Sequence, residues 1–141
     1  MGSKSLKLSG ANAAASQAVT LTPGKTYTLS AYFKGVDGAR LSAAYGGTTV
    51  ESTGVSSAAL TWQRESLTFT LPASASSSVT VQVKLPGTVS GTAYADCVML
   101  EQADAMNRYN LLENGDLDSA SGWTRGSGLT ASDALVTVSG S

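Results

Sequence analysis

The chain has 141 residues, 42% hydrophobic and 13% charged, so it suits one domain with a real core and is not a disordered segment. Nine Lys/Arg against ten Asp/Glu leave a net charge of −1 with no basic block, which argues against nucleic acid and anionic membrane as partners. With no His and one Cys, Cys97, an internal disulfide, a Cys/His zinc site and a His-based nucleophilic triad are excluded.

No apolar run reaches membrane-spanning length, and the Met-Gly-Ser start lacks the apolar core of a leader. The expectation is therefore no membrane insertion, and either a segment from inside a longer protein or a chain whose leader has been removed.

In chain order, the first alternating stretch is SLKLSG at 5–10, followed by QAVTLT at 17–22. TPGK at 22–25 turns the chain into YTLSAYFKG. There Tyr27, Leu29, Ala31 and Phe33 share one face, and Thr28, Ser30, Tyr32 and Lys34 the other. Asp37-Gly38 and Gly46-Gly47 suit hairpin connections around ARLSAAYGG (39–47) and TTVEST (48–53). WQRESLTFTLP (62–72) is the next strand, and PASASSS (72–78) a polar loop. SVTVQVKLPG sets Val79, Val81, Val83 and Leu85 against Thr80, Gln82 and Lys84.

AYADCVMLE (93–101) is the last long strand of this run. Its Cys97 reads as a small buried hydrophobe rather than a nucleophile, since no His can activate it. EQADAMNR (101–108) is the one helix candidate, but it is short, uncapped and without a useful apolar face; it reads as a loop or a single turn. Short alternating strands separated by Gly, Pro, Ser and Asp predict an all-β, two-sheet antiparallel jelly-roll β-sandwich.

Four stretches, LTPGKTYTLSAYFKG, TWQRESLTFTLPA, GTAYADCVMLEQ and NLLENGDLDSASGWT, together resemble the carbohydrate-binding-like jelly rolls. These are galactose-binding-like domains near carbohydrate-binding module families 4, 9 and 22. The wording is most similar to copies in secreted or wall-associated bacterial proteins with YD-type (RHS-like) repeats. The four phrases cover most of residues 5–124. In the family the NLLENGD…GWT phrase opens the domain, whereas here it follows the closing strand. The order looks circularly shifted, with the cut between LVTVSGS (135–141) and KSLKLSG (4–10).

The resemblance implies a main body at 4–106 and a segment at 107–141 that supplies opening strands, to its own sandwich or to a neighbour's. A body lacking its first strand exposes a sheet edge, so the segment should dock. Attachment gives it a high effective concentration at its own body, which favours closure within one molecule. Strand donation, with self-association through 107–141, is the alternative.

The resemblance also implies a structural Ca²⁺ between the opening phrase and the closing strand. The matching positions are Asp118 and Asp96, with Asp116 and Lys4 nearby to add backbone carbonyls. Two departures stand against it: Asp118 replaces the usual Glu, and Cys97 replaces a second Asp. The other reading makes these ordinary turn carboxylates, with Asp116 in an Asx-turn.

Sugar sites commonly stack an aromatic ring on a pyranose and ring it with polar groups. Here Tyr27, Phe33 and Phe69 fall on apolar strand faces, and Trp62 and Trp123 lie in framework phrases, so all five read as core. In a jelly roll, strands 17–22, 39–47, 48–53 and 79–85 would share a sheet whose outer face shows Gln17, Arg40, Ser42, Gln82 and Lys84, with Tyr45 at a margin. Arg40, Tyr45, Gln82 and Lys84 are the candidate ligand-binding residues, although a polar set without a central aromatic also describes a solvated sheet face.

The expected function is a non-catalytic carbohydrate-binding-like module of an extracellular or cell-wall-associated protein, with a polysaccharide or glycan partner. The alternative is a structural or assembly module without sugar affinity. A glycosidase would need two carboxylates facing across a cleft, and the pattern supplies no such pair.

Overall fold

Alternation along the chain produces strands that bury one face each. The computed structural model describes residues 4–56, 61–88, 91–103, 110–112, 124–125 and 135–137. The strands are β1 (Lys4–Ser9), β2 (Ala14–Thr20), β3 (Thr26–Lys34), β4 (Arg40–Tyr45), β5 (Thr48–Glu51), β6 (Gln63–Thr70), β7 (Ser78–Lys84), β8 (Thr92–Gln102), β9 (Thr124–Arg125) and β10 (Leu135–Thr137). They form two antiparallel sheets, ordered β10-β1-β8-β3-β6 and β5-β4-β7-β2-β9. No helix is assigned among the described residues, and the architecture is the expected jelly-roll sandwich.

Between the sheets lie Leu6, Leu8, Leu29, Phe33 and Leu100 from one side and Leu41, Val79, Val81 and Val83 from the other. Each such side chain is worth roughly 1.5–3 kcal/mol when fully buried. The β4–β7 register sets Leu41 opposite Val83 and Ala43 opposite Val81 on the inner face. Their neighbours Arg40, Ser42, Lys84 and Gln82 are therefore turned outward.

Turn chemistry fixes the connections. At Thr22–Lys25 the Lys25 N–H donates to the Thr22 carbonyl at 3.3 Å, with Gly24 at φ +88°, the type II arrangement that Pro23-Gly24 favours. Gly46 and Gly47 have φ of +55° and +81° and close the β4–β5 hairpin as a two-residue type I′ loop. Asp37-Gly38 is different from expectation. It joins β3 to β4, which lie in opposite sheets, so it is a crossover corner and not a hairpin.

Strand β8 carries a bulge. Ser30 pairs with Met99 and Tyr32 with Asp96, so Ala31 alone faces Cys97 and Val98. Cys97 takes φ +50°, and the inward set passes from Ala93 and Ala95 to Val98 and Leu100. It forms no disulfide and its side chain is half-buried, so Cys97 is not the buried hydrophobe expected: the bulge removes it from the inward alternation.

The pairing of β1 with β8 stops at Ala95, and beyond the bulge residues 110–112 lie against β8 instead. Asn110 Nδ2 donates to the Val98 carbonyl at 2.9 Å, its Oδ1 accepts from the Leu100 N–H at 2.9 Å, and Leu111 N–H donates to the Leu100 carbonyl at 2.8 Å. Leu112 enters the core. Strand β9 pairs with β2 and β10 with β1, one at an edge of each sheet. Of the EQADAMNR stretch, Glu101 and Gln102 belong to β8, and 104–108 lie outside the described residues.

Candidate ligand-binding face

The outer face of the β5-β4-β7-β2-β9 sheet gathers most of the residues expected there. Cross-strand pairing gives one row of Arg40 and Lys84 and a second of Glu51, Ser42, Gln82 and Ser16. Lys84 Nζ donates to Glu51 Oε2 at 2.7 Å, and Arg40 Nη1 lies 3.7 Å from Glu51 Oε1. Arg40 Nε also donates to the Gly38 carbonyl at 3.1 Å, which pins the guanidinium at the sheet margin.

Ser42 Oγ donates to Gln82 Oε1 at 3.3 Å. Ser42 is only 2% exposed although it points away from the core, so the longer neighbours roof it. The Gln82 amide nitrogen makes no hydrogen bond among the described residues and is available as a donor. The Lys84 hydrogen bond holds the Glu51 carboxyl below its ordinary value, opposed by partial burial and aided by the nearby charges of Lys84 and Arg40.

Two expected members are elsewhere. Tyr45 falls on the inner side of β4 and stacks on Phe69 with centroids 5.9 Å apart, so it belongs with the core margin and not with Arg40, Gln82 and Lys84. Gln17 pairs with Val81, an inward residue, and is 7% exposed. The inward parity of β2 overrides the side chain's polarity there.

Glu51 was missed by sequence reasoning, although its signal was present. A two-residue loop at Gly46-Gly47 places Tyr45 opposite Thr48, and counting back from it sets Ser42 opposite Glu51.

Of the metal candidates, Asp96 is described and Asp116 and Asp118 lie outside the described residues. Asp96 is fully buried on β8. Its Oδ1 accepts from the Cys97 N–H at 2.7 Å and its Oδ2 from Ser5 Oγ at 3.3 Å. Among the described residues no group of three acidic or Cys side chains could hold a metal ion. Trp62, expected in the core, is half-buried just ahead of β6, and its indole N–H has no acceptor among the described residues. Trp123 lies outside the described residues.

Three comparisons bear on this arrangement. The family model described as "Carbohydrate binding domain" (CBM_4_9) matches residues 1–92, so β8 beyond its first residue and the C-terminal segment fall outside the match. No curated protein matches the chain. Among solved structures, "PbXyn10C CBM APO" superimposes with a TM-score of 0.65 at 22% identity, covering 97% of this chain and 89% of its own. "Family 16 Carbohydrate Binding Module-2" gives a TM-score of 0.52 at 26% identity, covering 71% of this chain and 77% of its own.

Proposed function

The chain belongs to the carbohydrate-binding domain family, and from that premise we propose that it is a non-catalytic module taking saccharide on the outer face of the β5-β4-β7-β2-β9 sheet. One observation carries the reading: the row of Glu51, Ser42 and Gln82, flanked by Arg40 and Lys84, on a face turned away from the core. Sugar hydroxyls both donate and accept. Glu51 accepts, Arg40 and Lys84 donate, and Gln82 does both. No described aromatic residue occupies this face, so recognition runs through hydrogen bonds rather than ring stacking. The module works outside the cell, within a larger modular protein.

Calorimetric titration of neutral β-glucan, xylan and mannan oligosaccharides tests this. At least one binds, and Gln82→Ala lowers that affinity about tenfold, the loss of one or two hydrogen bonds. No binding to any neutral saccharide, or full binding by Gln82→Ala, contradicts the placement.

The C-terminal segment completes this same molecule. Pairing of β9 with β2 and β10 with β1, and the docking of Asn110 on β8, support that reading over donation to a neighbour. A concentration-independent monomer on size-exclusion chromatography is expected; a dimer that grows with concentration favours donation.

A structural Ca²⁺ is part of the same proposal. Asp96 offers a buried carboxylate that accepts from Ser5 Oγ and the Cys97 N–H, and carboxylate oxygen is a preferred ligand of Ca²⁺. Asp118 and Asp116 would complete the set. Bound Ca²⁺ would tie β8 to the segment that follows it. Added Ca²⁺ should raise the melting temperature of the native chain and leave that of Asp96→Asn unchanged; no rise in the native chain removes the metal.

A further inference from the structure

We propose that the outer face of the other sheet, β10-β1-β8-β3-β6, is a second saccharide-binding surface, one that takes an acidic polysaccharide bearing carboxylate groups. On β3, Ala31 and Phe33 fill the core, so Tyr32 and Lys34 point outward. On β8, Ala93 and Ala95 are inward and Tyr94 is outward. Register sets Tyr94 between Lys7 and Lys34, and Tyr32 between Asp96 and Arg64. Tyr32 and Tyr94 thus hold a diagonal position on adjacent strands, a separation of roughly 7–8 Å that aromatic side chains span. Met99, the exposed large hydrophobic among the described residues, is on the same face beside Ser30.

Charge decides which saccharide. On the first face Arg40 and Lys84 share the Glu51 carboxylate. Here Lys34 and Arg64 make no ion pair among the described residues. The adjacent acid, Asp96, is fully buried and accepts from Ser5 and the Cys97 N–H, so its oxygens face protein. Glu101 pairs with Thr28, four residues from Tyr32 along β3 and so roughly 13 Å away.

Two phenol rings match the apolar face of a pyranose. Arg64 can grip a carboxylate through paired N–H donors, and Lys34 adds a second cation at the next row. That combination favours a uronate over its uncharged counterpart. The inference does not depend on the first face.

The test uses the whole chain and oligosaccharides of polygalacturonate, polyglucuronate and alginate, with methyl-esterified oligogalacturonate as the uncharged control. At least one acidic oligosaccharide should bind, and where the control applies it should bind at least tenfold more tightly than its ester. Tyr32→Ala and Arg64→Ala should each lower that affinity about tenfold while neutral-glycan binding stays unchanged, and Gln82→Ala should leave acidic binding intact. Arg64 is exposed, so its variant tests the site even if Tyr32→Ala fails to fold. Equal affinity for acid and ester, undiminished binding by Arg64→Ala, or no binding to any of the three polymers overturns the proposal.

Discussion

On the β5-β4-β7-β2-β9 face, two cations close on one carboxylate and two short polar side chains fill the row beside them. On the opposite face, two tyrosines lie among Lys7, Lys34 and Arg64, and the nearest acid is buried. Both surfaces arise from the same alternation, with every second residue surrendered to the core. They differ in what happens to charge. On the first face both cations are engaged by Glu51, whereas on the second Lys34 and Arg64 make no ion pair among the described residues and can meet an outside anion.

The comparison can be broken most severely at Gly35. Its φ is +124°, and an added Cβ would run into the Thr92 carbonyl oxygen, where the end of β3 meets the start of β8. Gly35→Ala should cost about 2–4 kcal/mol in chemical denaturation, through left-handed strain plus a backbone collision. A loss below ~1 kcal/mol would mean that the two strands bearing Lys34 and Tyr94 are not locked together there.

A gentler change makes the first face resemble the second. Glu51→Gln leaves Arg40 and Lys84 uncompensated, so that face should gain a few-fold affinity for acidic oligosaccharides. Stability should fall by less than ~1 kcal/mol, because the pair is largely solvent-screened. Glu51 has a folded-state value below its ordinary 4.5. Its small stabilisation is therefore complete above that value and is lost as pH falls through the lowered one. Acid titrations of native chain and variant should converge at low pH; a difference that persists there would assign the effect to packing.

The strands up to β8 and most of the first face were legible in the sequence, because period-2 alternation and turn residues mark each segment. The grouping of four strands in one sheet followed from jelly-roll topology and not from alternation. Arg40, Ser42, Gln82 and Lys84 came out on one face for both reasons. What alternation could not supply was parity where polarity misleads. Gln17 is polar yet inward, because pairing with Val81 sets its side. Tyr45 is amphipathic, and only its position after Leu41 and Ala43 turns it toward Phe69. The bulge at Cys97 was hidden as well, since an inserted residue leaves no mark in composition. Tyr32 was readable as outward, but its neighbours Tyr94 and Arg64 come from distant strands, and only sheet order brings the three together.

The most direct test is a pair of nuclear magnetic resonance titrations on the ¹⁵N-labelled chain, one with a neutral oligosaccharide that binds and one with an acidic one. The account predicts that the neutral sugar shifts amides around Ser42, Glu51 and Gln82, and that the acidic sugar shifts those around Tyr32, Arg64 and Tyr94. Perturbation of one common face by both ligands, or of neither face, would contradict it.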